Sequence, residues 1–382
     1  MNNKYRWTGR TLQRRWRSIV IHSPHSGRSQ KLSEALTYLE EVGVEVVRSI
    51  SVAELDNRPP QGETWREEGI DIAIAAGGDG LVGGVITHIA ESGLPLGILP
   101  LGTANDVARS LHLPQDLHQA ANVIAQGKEV EVDIGVAQPA EQAPHTASQG
   151  QREPVLAHVG PQKHGFFAHA LTVGLNVQFA RIATNIATRQ RYGRLTYPFA
   201  ALEVLRNHYA LDVELEFEGL VVPEDKQARQ ESAALRPARE DEHSFLRCRT
   251  LQVAVINAPI FGGKWQLSVP RASLSDHLLD IVVLEEFEFG RLSTRLARFF
   301  GPRARGQEGA HASDEVNGHE RHFVHHPAEL SGIPGIHHVQ ARGVTITTNA
   351  DPRDVTLDGE VRGQTPMYAH MADERLRVVV PG

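Results

Sequence analysis

Between Ser18 and Val136, short apolar runs alternate with helical periodicities, and glycine-rich turns join them. Ser18–His22 (SIVIH) is an apolar run closed by the turn Ser23-Pro24-His25-Ser26-Gly27. Leu32, Leu36 and Leu39 follow at helical spacing, and Gly43 stops the helix. Strands are predicted at Val44–Val47, Ile70–Ala76, Leu96–Leu99 and Val130–Val136, and helices at Leu81–Ile89, Ala104–Leu111 and Ala120–Ala125. Few architectures accept such an order. It predicts a mostly parallel sheet with helices on both faces.

The texture changes after Val136. Gln138–His164, rich in Pro, Gln, Ala and His, reads as a long insertion. In Asp212–Glu218, Val213, Leu215 and Phe217 alternate with glutamates, the mark of a half-buried antiparallel strand. Leu251–Ile256, Ile281–Leu284, Val344–Thr348 and Val355–Leu357 are similar, and Thr184–His208 is the main helical interruption. Pro223–Ser244 and Pro302–Gly343 are polar and read as mobile loops. The second half is therefore expected to be a β-rich domain, and 382 residues suit two or three domains of roughly 150 residues.

Composition narrows the function classes. Lys+Arg 39 against Asp+Glu 46 gives 39 − 46 = −7, so an overall basic footprint for nucleic acid is absent. A single cysteine, Cys248, excludes an intrachain disulfide and fits a reducing compartment. The apolar stretch Ile70–Leu101 contains Asp71, Asp79, His88 and Glu91, which makes it a buried core and not a bilayer span. Met1–Ser33 carries eight cations and no acid, with Tyr5, Trp7 and Trp16 interleaved. No apolar segment precedes Ser18, so the N-terminus is not expected to be a secretory signal. Met1–Arg17 either touches an anionic membrane surface through its cations, with Tyr5, Trp7, Leu12 and Trp16 entering the interface, or is a solvated extension with Trp16 covering the first strand. The cluster His319, His322, His325 and His326 has helical spacing, but its Gly/Pro surroundings fit a solvated loop better than a metal site.

The chemistry concentrates at two glycine turns. Ala75-Ala76-Gly77-Gly78-Asp79-Gly80-Leu81 turns a buried strand into a helix, where backbone N–H groups and the helix N-terminus favour an anion. Gly78, Gly80 and Gly83 match G-x-G-x-x-G, but Asp79 would set a carboxylate beside a dinucleotide pyrophosphate. Pro100-Leu101-Gly102-Thr103-Ala104-Asn105-Asp106 joins the next strand and helix. In a parallel sheet both turns, and the Ser23–Gly27 turn, emerge at one carboxyl edge and define one ligand site.

These segments, GGDGL at 77–81, PLGTAND at 100–106 and SPHSG at 23–27, resemble the diacylglycerol kinase catalytic-domain family. So do Gly193-Arg194-Leu195-Thr196-Tyr197, Asn257-Ala258-Pro259 with Phe261-Gly262-Gly263, Pro270–Asp280, and the closing Asp358-Gly359-Glu360. The resemblance implies a nucleotide-binding α/β domain with a mostly parallel, NAD-kinase-like sheet, at residues 18–136 plus about 365–382. This domain would be joined to a β-sandwich lipid-kinase domain at 137–364, behind a basic extension at 1–17. It implies a cytoplasmic, peripherally membrane-associated enzyme using ATP and Mg²⁺ on a lipid alcohol, with no nucleic-acid partner and with homo-oligomerisation left open.

By the same resemblance, Ser23, Pro24, His25, Ser26 and Gly27, then Gly77, Gly78, Asp79, Gly80, Leu81, Val82, Gly83 and Gly84, with Thr103, Asn105 and Asp106, line the nucleotide. Asp358 is the general base with Asp79 as rival, and Glu360 organises a metal–water network. Ser273, Asp276 and Leu278 hold a structural Mg²⁺. Departures are Ser23 for the usual Asn, Gly84 for a Glu, and Ser275-Asp276-His277 for D-D-G. They keep open a catalytically weak nucleotide- or lipid-binding protein, and the shared GGDG keeps open an NAD kinase relative.

Overall fold

A computed structural model describes residues 16–23, 29–55, 58–142, 165–175, 177, 210–221, 244–261, 267–269, 271–286, 336–349 and 351–382. The Thr184–His208 helix, Gly193–Tyr197 and the histidine cluster at 319–326 lie outside them, as do most of the polar stretches.

The first half builds strands β1 (Arg17–His22), β2 (Glu45–Ser51), β3 (Ile72–Gly77), β4 (Leu96–Pro100) and β5 (Lys128–Val132). Between them run helices α1 (Ser29–Glu41), α2 (Gly62–Glu67), α3 (Asp79–Ile89), α4 (Asp106–Ser110) and α5 (Leu117–Gln126). The sheet order is β2-β1-β3-β4-β19-β5, where β19 is Leu376–Val380. All pairings are parallel except that of β19 with β5. Strand alternation divides the apolar side chains between two covered faces. Ile19, Ile21, Ala73 and Ala75 meet Val82, Val85, Ile86 and Ile89 of α3. Val20, Ile72 and Ile74 meet Ala35 and Leu39 of α1 and Ala121 and Ile124 of α5. Each fully buried Leu or Ile contributes roughly 1.5–3 kcal/mol.

Two sequence readings are decided here. Trp16 is buried beside Val20, Ala35, Leu39 and Val44, so it covers the first strand and does not enter a membrane interface. Arg17 belongs to β1, with its guanidinium on the Gly69 carbonyl at 2.7 Å. The run Val130–Val136 is two strands, because the chain leaves the first sheet at Asp133 and starts β6 (Gly135–Pro139) in a second.

The second sheet is antiparallel and holds β6, β7 (Gly165–Phe167), β8 (Ala170–Gly174), β9 (Leu211–Glu218), β10 (Ser244–Ile256), β13 (Leu279–Glu285), β14 (Ile336–Ala341), β15 (Gly343–Thr348), β16 (Asp354–Leu357), β17 (Glu360–Gln364) and β18 (Met367–Met371). A small pair, β11 (Ile260–Phe261) and β12 (Leu267–Ser268), stands apart. Val213, Leu215 and Phe217 pack with Leu171, Val173, Val253, Ile281 and Val344. The β-rich reading therefore holds, but Gln138 and Pro139 are strand, paired with Tyr368 and Met367, and so are not insertion. Residues 336–341, read as part of a mobile loop, are strand β14. His338 of β14 pairs with Asp280 at 2.7 Å and His337 with Glu285 at 2.9 Å, both histidines buried, which hides the strand in a polar-looking sequence.

Candidate active site

The two glycine turns touch. β3 and β4 pair in register to Gly77 and Pro100, and the N–H groups of Leu101 and Gly102 both donate to the Gly77 carbonyl, at 3.1 and 3.2 Å. A Cβ on Gly102 would lie 2.4 Å from the Gly78 Cα, so only glycine permits this approach. Gly78 is the N-cap of α3 and supplies no side-chain cap. The first-turn N–H groups and the positive end of the helix dipole therefore face the turn. Leu81 and Val82 point into the core, so only their backbone can serve a ligand. Thr103 is exposed and Asp106 buried.

Asp79 opens α3, and its Oδ1 accepts the Val107 N–H at 2.8 Å. Val107 is in the first turn of α4, whose N-cap, Asn105, is left-handed at φ 54° and makes no cap bond. Asp79 thus caps the helix after the second turn. The Asn105 Nδ2 donates to the Pro100 and Gly102 carbonyls and to the Gln115 Oε1. Among the described residues its Oδ1 is buried without a partner.

The second sheet brings the other acids. Asp358 and Gly359 form the turn between β16 and β17, both left-handed, at φ 49° and 86°. The buried Asp358 carboxylate accepts the N–H groups of His169 (2.8 Å) and Ala170 (3.0 Å) at Oδ1, and of Ala168 (2.9 Å) at Oδ2. Burial pushes its pKa up to about 6, against the pull of His169 and those three N–H groups. The carboxylate lies on α3, where a Cβ on Gly83 would be 2.5 Å from its Oδ2. A Cβ on Gly80 would be 3.0 Å from the Glu360 Oε1. Gly80 and Gly83, three apart, form a bare track on one helix face for this turn. Gly84 is different: a Cβ there would make ordinary contact with Val52 at 3.5 Å. Glu360 is exposed and pairs with Arg362.

The structure thus brings Asp79, Asp358 and Glu360 to one helix, beside the paired glycine turns. Ser23 follows β1, while residues 24–27 lie outside the described residues. The Ser273–Leu278 segment sits elsewhere, against the crossover between the sheets. Asp276 Oδ1 accepts the Leu278 N–H at 3.2 Å, and Ser273 Oγ lies 3.3 Å from Ser275 Oγ. Desolvation, helped by the Asp280 and Asp133 carboxylates, raises the Asp276 pKa to about 6, against the Leu278 N–H. A cation would relieve that crowding, and hydroxyl, carboxylate and carbonyl oxygens suit Mg²⁺. Among the described residues, however, no three His, Cys, Asp or Glu side chains are grouped to hold a metal.

Two residues outside the expected site set organise the junction. Asp133 is buried, ion-paired with Arg375 at 2.8 Å, and its Oδ2 accepts the His277 N–H at 2.7 Å. Asn257 Nδ2 donates to the Asp133 and Ala168 carbonyls at 2.8 and 2.9 Å. The Asn257-Ala258-Pro259 motif could have indicated Asn257. Asp133 gave no such signal.

Residues 17–137 match the diacylglycerol kinase catalytic domain, and residues 170–314 match the YegS C-terminal NAD kinase beta sandwich-like domain. Residues 17–137 thus carry a diacylglycerol kinase catalytic domain, and the second match follows it along the chain. Over 126 residues it is 38% identical to the diacylglycerol kinase of Staphylococcus aureus strain bovine RF122 / ET3-1, and 37% to that of strain JH9. Each match covers 32% of this chain and 40% of the relative's length. Solved chains from Bacillus anthracis str. Sterne share the fold. One has TM-score 0.61 and 17% identity over 95% of this chain and 97% of that one. A diacylglycerol kinase from the same strain has TM-score 0.55 and 16% identity over 95% and 96%.

Proposed function

We propose that the chain is an ATP-dependent lipid kinase that moves the γ-phosphoryl group to the hydroxyl of diacylglycerol or a related lipid alcohol. The observation that carries this reading is the meeting of Asp79, Asp358 and Glu360, from two sheets, on the helix that opens at the paired glycine turns. Bound ATP would supply the phosphoryl group. The turn around Gly78, the α3 N-terminus and the partnerless Asn105 Oδ1 are the groups suited to hold its phosphates and their metal-bound water. In this reading the first sheet with its helices, residues 17–132 and the returning β19, is the nucleotide-binding unit, and the second sheet from β6 to β18 is the lipid-kinase unit.

Asp358 takes the hydroxyl proton. Its Oδ1 already accepts two N–H groups and Oδ2 one, and a carboxylate offers about four acceptor sites. The remaining site is on Oδ2, the oxygen facing α3. A pKa of about 6 leaves it ionised at neutral pH yet basic enough to accept a proton. Asp79 spends one oxygen on capping α4, which favours a holding role. Glu360, exposed at Gly80, is available to metal-bound water. Asp276 with the Ser273 hydroxyl and the Leu278 carbonyl would hold a second, structural Mg²⁺.

No helix among the described residues is long and apolar enough to cross a membrane. In our reading the enzyme is cytoplasmic and meets its lipid peripherally. Purified protein incubated with labelled ATP, Mg²⁺ and a total lipid extract tests the proposal. A labelled lipid is expected. No transfer would leave a binding protein, and NADP formed from added NAD would mark an NAD kinase.

A further inference from the structure

The Ile260 peptide lies between two side chains from opposite parts of the molecule. Its N–H donates to the Ser110 Oγ at 3.0 Å, and Ser110 is the last residue of α4. Its carbonyl lies 3.0 Å from His169 Nε2. A carbonyl only accepts, so Nε2 carries the proton. The imidazole packs on Phe261, ring centroids 4.1 Å apart and tilted by 42°, and His169 is buried. The backbone of residue 169 is held as well. Its N–H donates to Asp358 Oδ1, and its carbonyl accepts from Asn257 N–H (2.9 Å) and Ala258 N–H (3.2 Å).

We propose that His169 is a positioning residue that ties the Asp358 carboxylate, through Ile260 and Ser110, to the helix following the second glycine turn. The inference rests on the reading of Asp358 as the base. The contacts close a ring. Asp79 caps the start of α4, Ser110 at its end takes the Ile260 N–H, and Ile260 takes the His169 Nε2–H. The His169 N–H meets Asp358, and Asp358 lies on Gly83 of the helix that Asp79 opens. A displacement of α4 is thereby passed to Asp358 without crossing either sheet core. Glu360 lies on the same bare track of α3, at Gly80, one turn from Asp358 at Gly83.

The test uses the full chain carrying His169→Leu, His169→Gln or Ser110→Ala, with amide hydrogen exchange and lipid-kinase kinetics. Leucine fills the space but cannot donate to Ile260; a glutamine carboxamide can. His169→Leu is expected to speed exchange at the Ala168–Ala170 amides by about tenfold or more. It should lower kcat by about 10–100-fold while KM for ATP stays within about twofold. His169→Gln should restore most of both. Ser110→Ala should reproduce a smaller loss from the other side, with faster exchange at Ile260. If His169→Leu leaves exchange and kcat at wild-type values, the proposal is overturned. It is also overturned if both His169 variants loosen the whole molecule alike. If the wild-type chain phosphorylates no lipid but the local exchange pattern and its rescue are found, the lipid-kinase reading fails and the linkage stands.

Discussion

The Oδ2 of Asp358 lies so close to α3 that a Cβ on Gly83 would come within 2.5 Å of it. The carboxylate cannot retreat, because three backbone N–H groups fix it. In an isolated helix, Gly→Ala gains about 1 kcal/mol. Here the methyl overpacks a buried, fixed group, which costs about 1–3 kcal/mol. Gly83→Ala should therefore lower the urea midpoint and abolish turnover. Gly84→Ala, facing only Val52 at 3.5 Å, should leave the midpoint unchanged or raise it.

The raised pKa of Asp358, about 6, gives stability and turnover opposite slopes with pH. Between roughly pH 4 and 6 the folded chain keeps a proton that the unfolded chain has released, so stability falls as pH rises through that window. Over the same range kcat/KM should rise with the ionised fraction. Asp358→Asn should flatten the stability slope and lower turnover by about 10²–10⁴ with ATP affinity little changed. A near-normal rate in that variant would move the base role to Asp79.

Asp276 tests the proposed structural cation. Its carboxyl is held up to about 6 by desolvation and by the Asp280 and Asp133 carboxylates. If Mg²⁺ offsets that crowding, the wild-type melting temperature rises with added Mg²⁺ and that of Asp276→Ala does not. Equal Mg²⁺ responses would show that Asp133, through the His277 N–H, holds the segment without metal.

The basic N-terminal stretch can be tested while Trp16 and β1 are kept. Trp16 is buried and Arg17 is in β1, so the deletion should remove only residues 1–14. Lys4, Arg6, Arg10 and Arg14 would go with them, each contributing roughly 1 kcal/mol at an anionic surface. Binding to anionic vesicles at low salt should weaken markedly in the shortened chain. Undiminished sedimentation would place the membrane contact on the rim of the cleft.

What could be read in the sequence was local. GGDG and PLGTAND sit at strand–helix junctions, and neighbouring parallel strands bring such junctions together whatever the rest of the chain does. The use of the glycines was not legible. Gly80 and Gly83 looked like phosphate-loop residues, yet their missing side chains make room for Glu360 and Asp358, far along the chain. The break at Asp133 was hidden because the apolar alternation of Val130–Val136 continues while the backbone changes sheet. Strand β14 was masked by His337 and His338, whose carboxylate partners lie on β13. Trp16 could be read as an anchor or as a cover for the first strand, because its pocket is built by α1 and β1 together. His169 stands among apolar residues, and its partners come from β11 and the β16–β17 turn.

The place of β19 bears on how the molecule is made. It lies between β4 and β5 in the first sheet, and among the described residues β5 has no other strand neighbour there. On the ribosome, residues 128–132 must wait, unpaired, until residues 376–380 have emerged. Every described strand of the second sheet is synthesised in that interval. The growing chain therefore carries an open edge at β4 and a stranded β5, both templates for wrong pairing. A nascent chain stalled before Leu376 should be cut by protease between Leu96 and Val132, and one released after Val380 should resist.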